Sequence, residues 1–214
     1  MLLYLRRTAH LGLEYKQIQL EANYASGVII TASVDSSFAD CHATARSTGG
    51  FIIWFCGAPL EWECKRQPLV TMSTMEAEYV AASRCVNSIK ANLKYLNFVR
   101  IHMNGPAIIY EDNEACIAVA DNPSPVHRQR TRHIALRYHN VRDAARDGIV
   151  KLVHVWTKHQ VADIFTKALS RTDFERFRGP LLGSVPFSQM CLDTPKDTQV
   201  KVSSFRCVHG ITSP

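Results

Sequence analysis

Four acidic residues of this 214-residue chain stand where carboxylates can do chemistry. Asp35 and Asp112 each follow an apolar or β-branched run and are predicted at strand ends. Glu78 falls in the first turns of a long predicted helix, and Asp163 in a late one. Acids at one sheet edge repel unless cations hold them, and their oxygens suit Mg²⁺ or Mn²⁺. Two such ions roughly 3.5–4 Å apart activate water and stabilise the leaving oxygen of a phosphodiester.

Each acid also has an ordinary structural interpretation, which is the commoner one for a single residue. Asp112 could cap the helix that follows it, and Asp35 could cap a turn. The sequence does not by itself show that the four carboxylates meet in space. The set therefore predicts a two-metal hydrolytic site only when its order and surroundings are taken together.

The elements that must position these acids follow a simple order. A strand ends at Asp35, the pair Gly49-Gly50 indicates a turn, and two short strands at hairpin spacing come before a long helix that starts near Ser73. The remaining predicted elements are a strand over 107–110, a helix from 114 that Asn122-Pro123 stops, a helix over 134–147 that Gly148 stops, a strand over 149–156 and a helix over 159–169. Three strands followed by helices and two more strands predict an α/β protein with a mixed sheet.

The composition fits an ordinary globular domain, with 46% hydrophobic and 21% charged residues. Lysine and arginine number 25 against 19 acids, and the resulting net charge of +6 suits a polyanionic partner such as nucleic acid. Seven cysteines without a C-x-x-C pair make a disulfide framework or zinc site improbable. We expect a reduced, intracellular protein without a membrane segment, because no signal-peptide core and no apolar run near 18 residues is present.

Several motifs in one order resemble the ribonuclease H region of copia-type retrotransposon polyproteins. They are SVDSSFAD, RSTGG, STMEAEYVA, YEDNEACIA, RTRHIALRYHNVRD and TKHQVADIFTKAL. The resemblance covers roughly residues 28–180, and YLRRTAHLGLEY resembles the connection from reverse transcriptase. It implies a lead-in over 1–27, a ribonuclease H-like domain over 28–180 and an irregular tail over 181–214.

The resemblance implies a ribonuclease H-like fold, with a mixed five-stranded sheet of three antiparallel strands and then two more. The implied activity is an endonuclease that cuts the RNA strand of RNA–DNA hybrids during reverse transcription, in a cytoplasmic virus-like particle or the nucleus. Two Mg²⁺ or Mn²⁺ ions are the implied cofactors, and the reverse transcriptase of the same polyprotein is an implied partner. The implied catalytic and metal-binding residues are Asp35, Glu78, Asp112 and Asp163. Glu76 is the rival of Glu78, but the second acid of E-A-E-Y-V-A matches the family pattern better.

Supporting groups carry weaker signals. The basic residues that could contact phosphates are Arg46, Lys65, Arg66, Arg128, Arg130 and Arg132. His159 precedes the Asp163 helix, where it is either an auxiliary proton-transfer group or, as we favour, a surface histidine. The three tryptophans, which fall in predicted strands, are interpreted as core aromatics: Trp54, Trp62 and Trp156.

A second function class fits the same residues. A catalytically inactive transposon-derived protein would keep the fold and act by binding, for instance as a host-interacting factor with host protein partners. The presence of all four acids favours the enzyme. Loss of metal response would favour the binding protein.

Overall fold

The computed structural model describes residues 2–15, 30–103, 105–121 and 132–185, with the backbone alone over 132–138. Its strands are β1 (Ile30–Ser37), β2 (Thr48–Phe55), β3 (Ala58–Arg66), β4 (Ala107–Glu111) and β5 (Val150–His154). Its helices are α1 (Leu2–Arg7), α2 (Thr74–Phe98), α3 (Glu114–Asp121), α4 (Arg132–Arg146), α5 (Asp163–Thr166) and α6 (Arg171–Leu182), with a 3₁₀ turn at Thr157–His159. Of the tail predicted over 181–214, the first two residues still belong to α6, and residues 186–214 lie outside the described residues.

The five strands form one mixed sheet in the order β3-β2-β1-β4-β5. β1, β2 and β3 pair antiparallel, as their short connections allow, whereas β4 runs parallel to β1 and β5 runs parallel to β4. Parallel neighbours need a long crossover, and the segment with α3 and α4 supplies it between β4 and β5, whereas α2 leads the chain from the edge strand β3 to β4 beside β1. The predicted mixed five-stranded sheet is therefore confirmed.

Helices cover both faces of the sheet because both faces are apolar. On one face, α2, α3 and α4 cover the larger core, and α2 buries residues three or four apart, including Cys85, Val86 and Ile89. On the other face, a smaller cluster centred on Trp54 and Phe177 joins β2 to α5 and α6. β1 and β2 lie between the two layers, so elements from both reach the same strands.

The Gly49-Gly50 pair is not a turn, which corrects the prediction. Both residues lie inside β2, where Gly50 pairs with Asp35 across the ladder. Glycine is required for packing, because a Cβ on Gly50 would collide with the Cβ of Phe165 in α5. The β1–β2 connection lies instead over 38–47, before β2 begins. The hairpin turn between β2 and β3 is at Cys56-Gly57, whose φ angles of 49° and 81° suit the twist of a tight hairpin.

Two further predictions need correction. The helix predicted over 159–169 is broken into the 3₁₀ turn and the one-turn α5, and Gln160 between them has extended backbone. Of the three tryptophans only Trp54 is a core residue, since Trp62 is 49% exposed and Trp156 is 50% exposed. Trp62 lies on β3, an edge strand of the sheet, and Trp156 follows β5, the other edge strand, so each has neighbours on fewer sides than a central-strand residue.

The described part of the lead-in contacts the domain through α6. The Glu14 backbone N–H donates to the Leu182 carbonyl at 2.7 Å, and the Tyr4 ring meets Phe174 edge to face. Among the described helices, none combines the length and apolar character needed to cross a bilayer.

The close contact between Gly50 and Phe165 generates a stability prediction. Gly50→Ala should destabilise the protein by about 1–3 kcal/mol, because the added methyl group displaces α5 from the sheet. Urea unfolding of the variant beside the wild type measures this. Gly105→Ala is the matched control, since a Cβ there meets no atom within 4 Å. Equal stability of the two variants would contradict the packing argument.

Candidate active site at the end of strand β1

Asp35 lies at the centre of the candidate site. It is fully buried near the end of β1, the central strand of the sheet. The last ladder pair between β1 and β4 is Ser33 with Tyr110, so the register, continued by two residues, brings Asp35 level with Asp112. Adjacent parallel strands thus carry these two acids to one sheet edge.

Glu78 joins them from the second turn of α2, whereas Glu76 has another role. The Ser73 hydroxyl caps α2 by accepting from the Glu76 N–H, and the Glu76 carboxylate accepts from the Met72 N–H at 2.5 Å. This reciprocal arrangement resembles a capping box and fixes the start of the helix. One carboxylate oxygen from each of Asp35, Glu78 and Asp112 lies within 4.8 Å of the others.

Asp112 is not the cap of the next helix. That role belongs to Asn113, whose Oδ1 accepts from the Cys116 N–H at 2.9 Å at the start of α3. Glu111, the preceding residue, points into the protein and is fully buried, and its Oε1 accepts from the Asn113 N–H at 3.1 Å. The Asp112 carboxylate therefore faces the acidic cluster without a capping role.

Asp163, the fourth predicted residue, begins α5 and reaches Asp35 through a lysine. The Lys167 ammonium donates to Asp163 Oδ1 at 2.8 Å and to Asp35 Oδ1 at 3.1 Å. The Thr166 hydroxyl donates to the other oxygen of Asp35. The structure thus brings all four predicted acids to one place, with Lys167 and Thr166 between β1 and α5.

A buried polar network fixes the segment that carries Asp163. Gln160 is fully buried, donates from Nε2 to the Val34 carbonyl at 2.9 Å and accepts from the Ser33 hydroxyl. The Ala162 N–H in turn donates to that hydroxyl. These bonds attach the segment to β1 beside Asp35, so the position of Asp163 depends on strand residues that carry no charge.

Burial and mutual repulsion perturb the acids of the cluster. Burial raises the pKa of Asp35 from 3.8 to about 6, with Lys167 opposing the shift and Asp163 adding to it. Burial, followed by the neighbouring carboxylates of Glu111 and Asp35, raises the pKa of Glu78 well above its ordinary value. Burial likewise raises the pKa of Asp163, against the effect of Lys167. Perturbed acids in one cluster are typical of functional sites.

Lys167 and Glu111 have perturbed pKa values as well. Burial lowers the pKa of Lys167, but the carboxylates of Asp35 and Asp163 outweigh it, and the pKa lies above its usual value. Burial is the main cause that raises the pKa of Glu111 well above its ordinary range. The ammonium is therefore charged at neutral pH. It lies beside carboxyl groups whose ionised form is disfavoured by burial.

The other predicted site residues are the basic residues and His159. Arg46, Lys65 and Arg66 are exposed, and Arg66 lies 3.7 Å from Asp40. Arg128 and Arg130 lie outside the described residues, and of Arg132 only the backbone, at the start of α4, is described. His159 is only 4% exposed, so the favoured interpretation as a surface histidine is wrong: the 3₁₀ turn directs it inward.

Sequence reasoning missed three residues of this cluster: Thr166, Lys167 and Glu111. Thr166 and Lys167 stand three and four residues after Asp163, a spacing that brings them back to the same side of a helical turn and was available as a signal. Glu111 gave no such signal. A strand-end acid next to another acid is usually solvated, and its burial depends on how β4 packs beneath α2 and α3.

Comparison with known proteins gives a partial match to transposon polyproteins. A retrovirus-related Pol polyprotein from transposon RE1 of Arabidopsis thaliana is 36% identical over 131 residues, which cover 61% of this chain and 9% of the polyprotein. The corresponding polyprotein from transposon TNT 1-94 of Nicotiana tabacum is 29% identical over 150 residues, covering 70% and 11%. The chain therefore spans about a tenth of the length of these relatives. No known family model matches the sequence.

Among solved structures, LC11 ribonuclease H1, isolated from compost, has a TM-score of 0.48 and 16% identity, covering 64% of this chain and 91% of that one. The sheet order, strand directions and helices described above form the mixed five-stranded α/β fold, three antiparallel strands and then two more, that was expected from the sequence. The chain is thus similar in sequence to a segment of retrovirus-related Pol polyproteins from plant transposons.

The raised pKa of Asp35 predicts how stability depends on pH without divalent ions. Ionisation of Asp35 is disfavoured in the folded state, so its contribution to stability is lost as the pH rises from 3.8 to about 6 and stays lost above that. Asp35→Asn imitates the protonated form. Its stability relative to wild type should therefore increase through this range, by at most about 3 kcal/mol, and then level off.

Urea unfolding in EDTA between pH 4 and 8 measures this difference. Asp147→Asn, which changes an exposed carboxylate, is the control and should show little change across the series. If the difference in unfolding free energy between Asp35→Asn and wild type stays constant with pH, ionisation of Asp35 is not disfavoured in the folded protein and the prediction is wrong.

Proposed function

We propose that this chain is a metal-dependent endoribonuclease that hydrolyses the RNA strand of RNA–DNA hybrids during reverse transcription of a copia-type element. Asp35, Glu78, Asp112 and Asp163 hold two Mg²⁺ or Mn²⁺ ions in this proposal. The observation that carries it is the convergence of Asp35, Glu78 and Asp112, from two strands' ends and a helix, with oxygens within 4.8 Å of one another. Homology with transposon Pol polyproteins supports it.

The residues present fit divalent ions. Glu78 Oε2 is buried and, within the described part of the chain, accepts no hydrogen bond. An unpaired buried carboxylate oxygen is unfavourable, and a cation beside it would remove that cost. All four side chains offer hard oxygen ligands, which Mg²⁺ and Mn²⁺ prefer over nitrogen and sulfur.

The protein's own contribution to the reaction is positioning. When bound, the ions would supply activation of the attacking water and stabilisation of the leaving oxygen. Thr166 and Lys167 hold Asp35 by hydrogen bonds, and the helix cap that Ser73 and Glu76 form fixes the turn of α2 that carries Glu78. Asp112 does not cap α3, since Asn113 has that role. The carboxylates are thus oriented before substrate arrives, and this preorganisation is what lets a site stabilise developing charge.

The substrate and partners follow from the same proposal. The exposed groups of Arg46, Lys65 and Arg66, with Arg128, Arg130 and Arg132, would contact phosphates of the hybrid. The 2′-hydroxyl groups would distinguish its RNA strand. The remainder of the polyprotein, with its reverse transcriptase, would be the physiological partner, in a cytoplasmic particle or the nucleus. The division into a lead-in over 1–27, a domain over 28–180 and a tail over 181–214 remains part of the proposal.

The different roles of Glu76 and Glu78 generate a paired prediction. Glu78→Gln should keep or raise the stability of the metal-free protein but lose most of the stabilisation by Mg²⁺, which amounts to about 2.7 kcal/mol at a hundredfold excess over Kd. Glu76→Ala, which removes the side-chain acceptor of the helix cap, should lower stability by about 1 kcal/mol and keep the Mg²⁺ response. Thermal unfolding with and without MgCl₂ measures both. The reverse pattern would mean that Glu76 is the ligand.

Cleavage of a labelled RNA–DNA hybrid tests the function directly. The purified chain should cut the RNA strand with Mg²⁺ or Mn²⁺, and Asp35→Asn or Asp112→Asn should reduce the rate about 100-fold or more, because ligands matter at least as much as their outer-shell partners. Single-stranded RNA and the Glu76→Ala variant are the controls.

If the folded wild-type chain cuts no hybrid with either metal, alone or joined to its reverse transcriptase, the nuclease proposal is wrong. The alternative, a transposon-derived binding protein, would then stand. Its partners would be sought among host proteins.

A further inference from the structure

Lys167 occupies an unusual position within the acidic cluster. Its ammonium donates at the same time to Asp35 and Asp163, two carboxylates that belong to different layers of the fold. Asp35 is fully buried, whereas the Lys167 side chain is 39% exposed. The lysine therefore reaches in from solvent and puts a positive charge between two of the proposed metal ligands.

An ammonium is the protein group that most nearly takes the place of a metal cation. It is a compact point charge with three donors on a flexible stem, so it neutralises neighbouring carboxylates without fixing their geometry. A divalent ion that binds both Asp35 and Asp163 would repel this charge at close range. Lys167 and such an ion therefore compete for the same oxygens.

Lys167 contacts only some of the acids in the cluster. Lys167 engages Asp35 and Asp163, whereas the buried Oε2 of Glu78 has no donor among the described residues. A cation approaching Glu78 and Asp112 meets an uncompensated carboxylate. A cation approaching Asp163 meets carboxylates whose negative charge Lys167 already offsets in part.

We propose that Lys167 is an internal counter-ion that makes the two metal positions unequal, with the ion beside Glu78 bound first and the ion beside Asp163 bound only as Lys167 leaves. This inference rests on the proposed two-metal function and names its order of assembly. Lys167 keeps the Asp35–Asp163 side closed in the metal-poor protein. The second ion then binds best when phosphate groups of a nucleic acid add negative charge.

Titration with MnCl₂ alone tests this, by calorimetry and by the electron paramagnetic resonance spectrum of bound Mn²⁺. The wild-type chain should bind one equivalent well and a second much more weakly. Lys167→Met should tighten the second equivalent by about tenfold or more and bring the two dissociation constants closer together, because the competing charge is gone. Spin coupling between paired Mn²⁺ ions should then appear at lower concentration.

The matched control is Lys151→Met, which removes the same charge from an exposed residue of β5. It should leave the second Mn²⁺ affinity as in wild type. Lys167→Gln, which is neutral but keeps a donor, serves as the second variant if Lys167→Met does not fold. A merely structural lysine would give a lower melting temperature and no tighter Mn²⁺ binding, and that result would overturn the inference.

The outcomes separate this inference from the function it rests on. If the wild-type chain binds Mn²⁺ and cuts the hybrid but neither Lys167 variant tightens the second ion, the counter-ion role is wrong and the nuclease stands. If the wild-type chain neither binds Mn²⁺ nor cuts, the proposed function fails and the inference fails with it.

Discussion

Repulsion among carboxylates crowded at one end of the sheet is the constraint on which the rest of the structure depends. Asp35, Glu78, Glu111 and Asp163 are all buried, and burial disfavours their charge before they repel one another. The fold holds them there because the register of β1 with β4, the cap of α2 and the attachment of α5 are each fixed by other interactions. Lys167 offsets part of the repulsion on one side only.

Neutral residues do most of the positioning. Gly50 leaves the space in which Phe165 seats α5 on the sheet, and Gln160 with Ser33 attaches the preceding segment to β1. These contacts involve no ionisable group, so they do not depend on the protonation state of the acids. Asp163 can consequently stay near Asp35 even when its carboxylate is not neutralised, as a site that binds and releases cations requires.

The sequence was most informative where a local pattern determines the structure. The apolar runs before Asp35 and Asp112 predicted two strand ends, and steps of three and four residues predicted α2, because these periods follow from strand and helix geometry. It was least informative where burial depends on distant segments. Trp62 is exposed because it lies on an edge strand, and His159 is buried because a 3₁₀ turn directs it inward. Gly50 lies within a strand because Phe165 of α5 packs against it and leaves no room for a side chain. A pattern of metal-binding acids does not point to Lys167, which is a base, although its spacing of four residues from Asp163 places it on the same side of a helical turn.

The strain of the acidic cluster also bears on the choice between an enzyme and a binding protein. A protein that acted through its surface alone would gain stability if these buried acids were replaced by amides, since an amide needs no counter-charge and can keep the hydrogen bonds. Sites that lower stability in this way are characteristic of catalysis or ion binding, where the unfavourable arrangement is relieved by the ligand. Glu78 lies in α2, on one face of the sheet, and Asp163 lies in α5, on the other face. The acidic cluster therefore forms only when both helices are packed on the sheet. The architecture and the unfavourable cluster therefore both support the proposed cation-binding function.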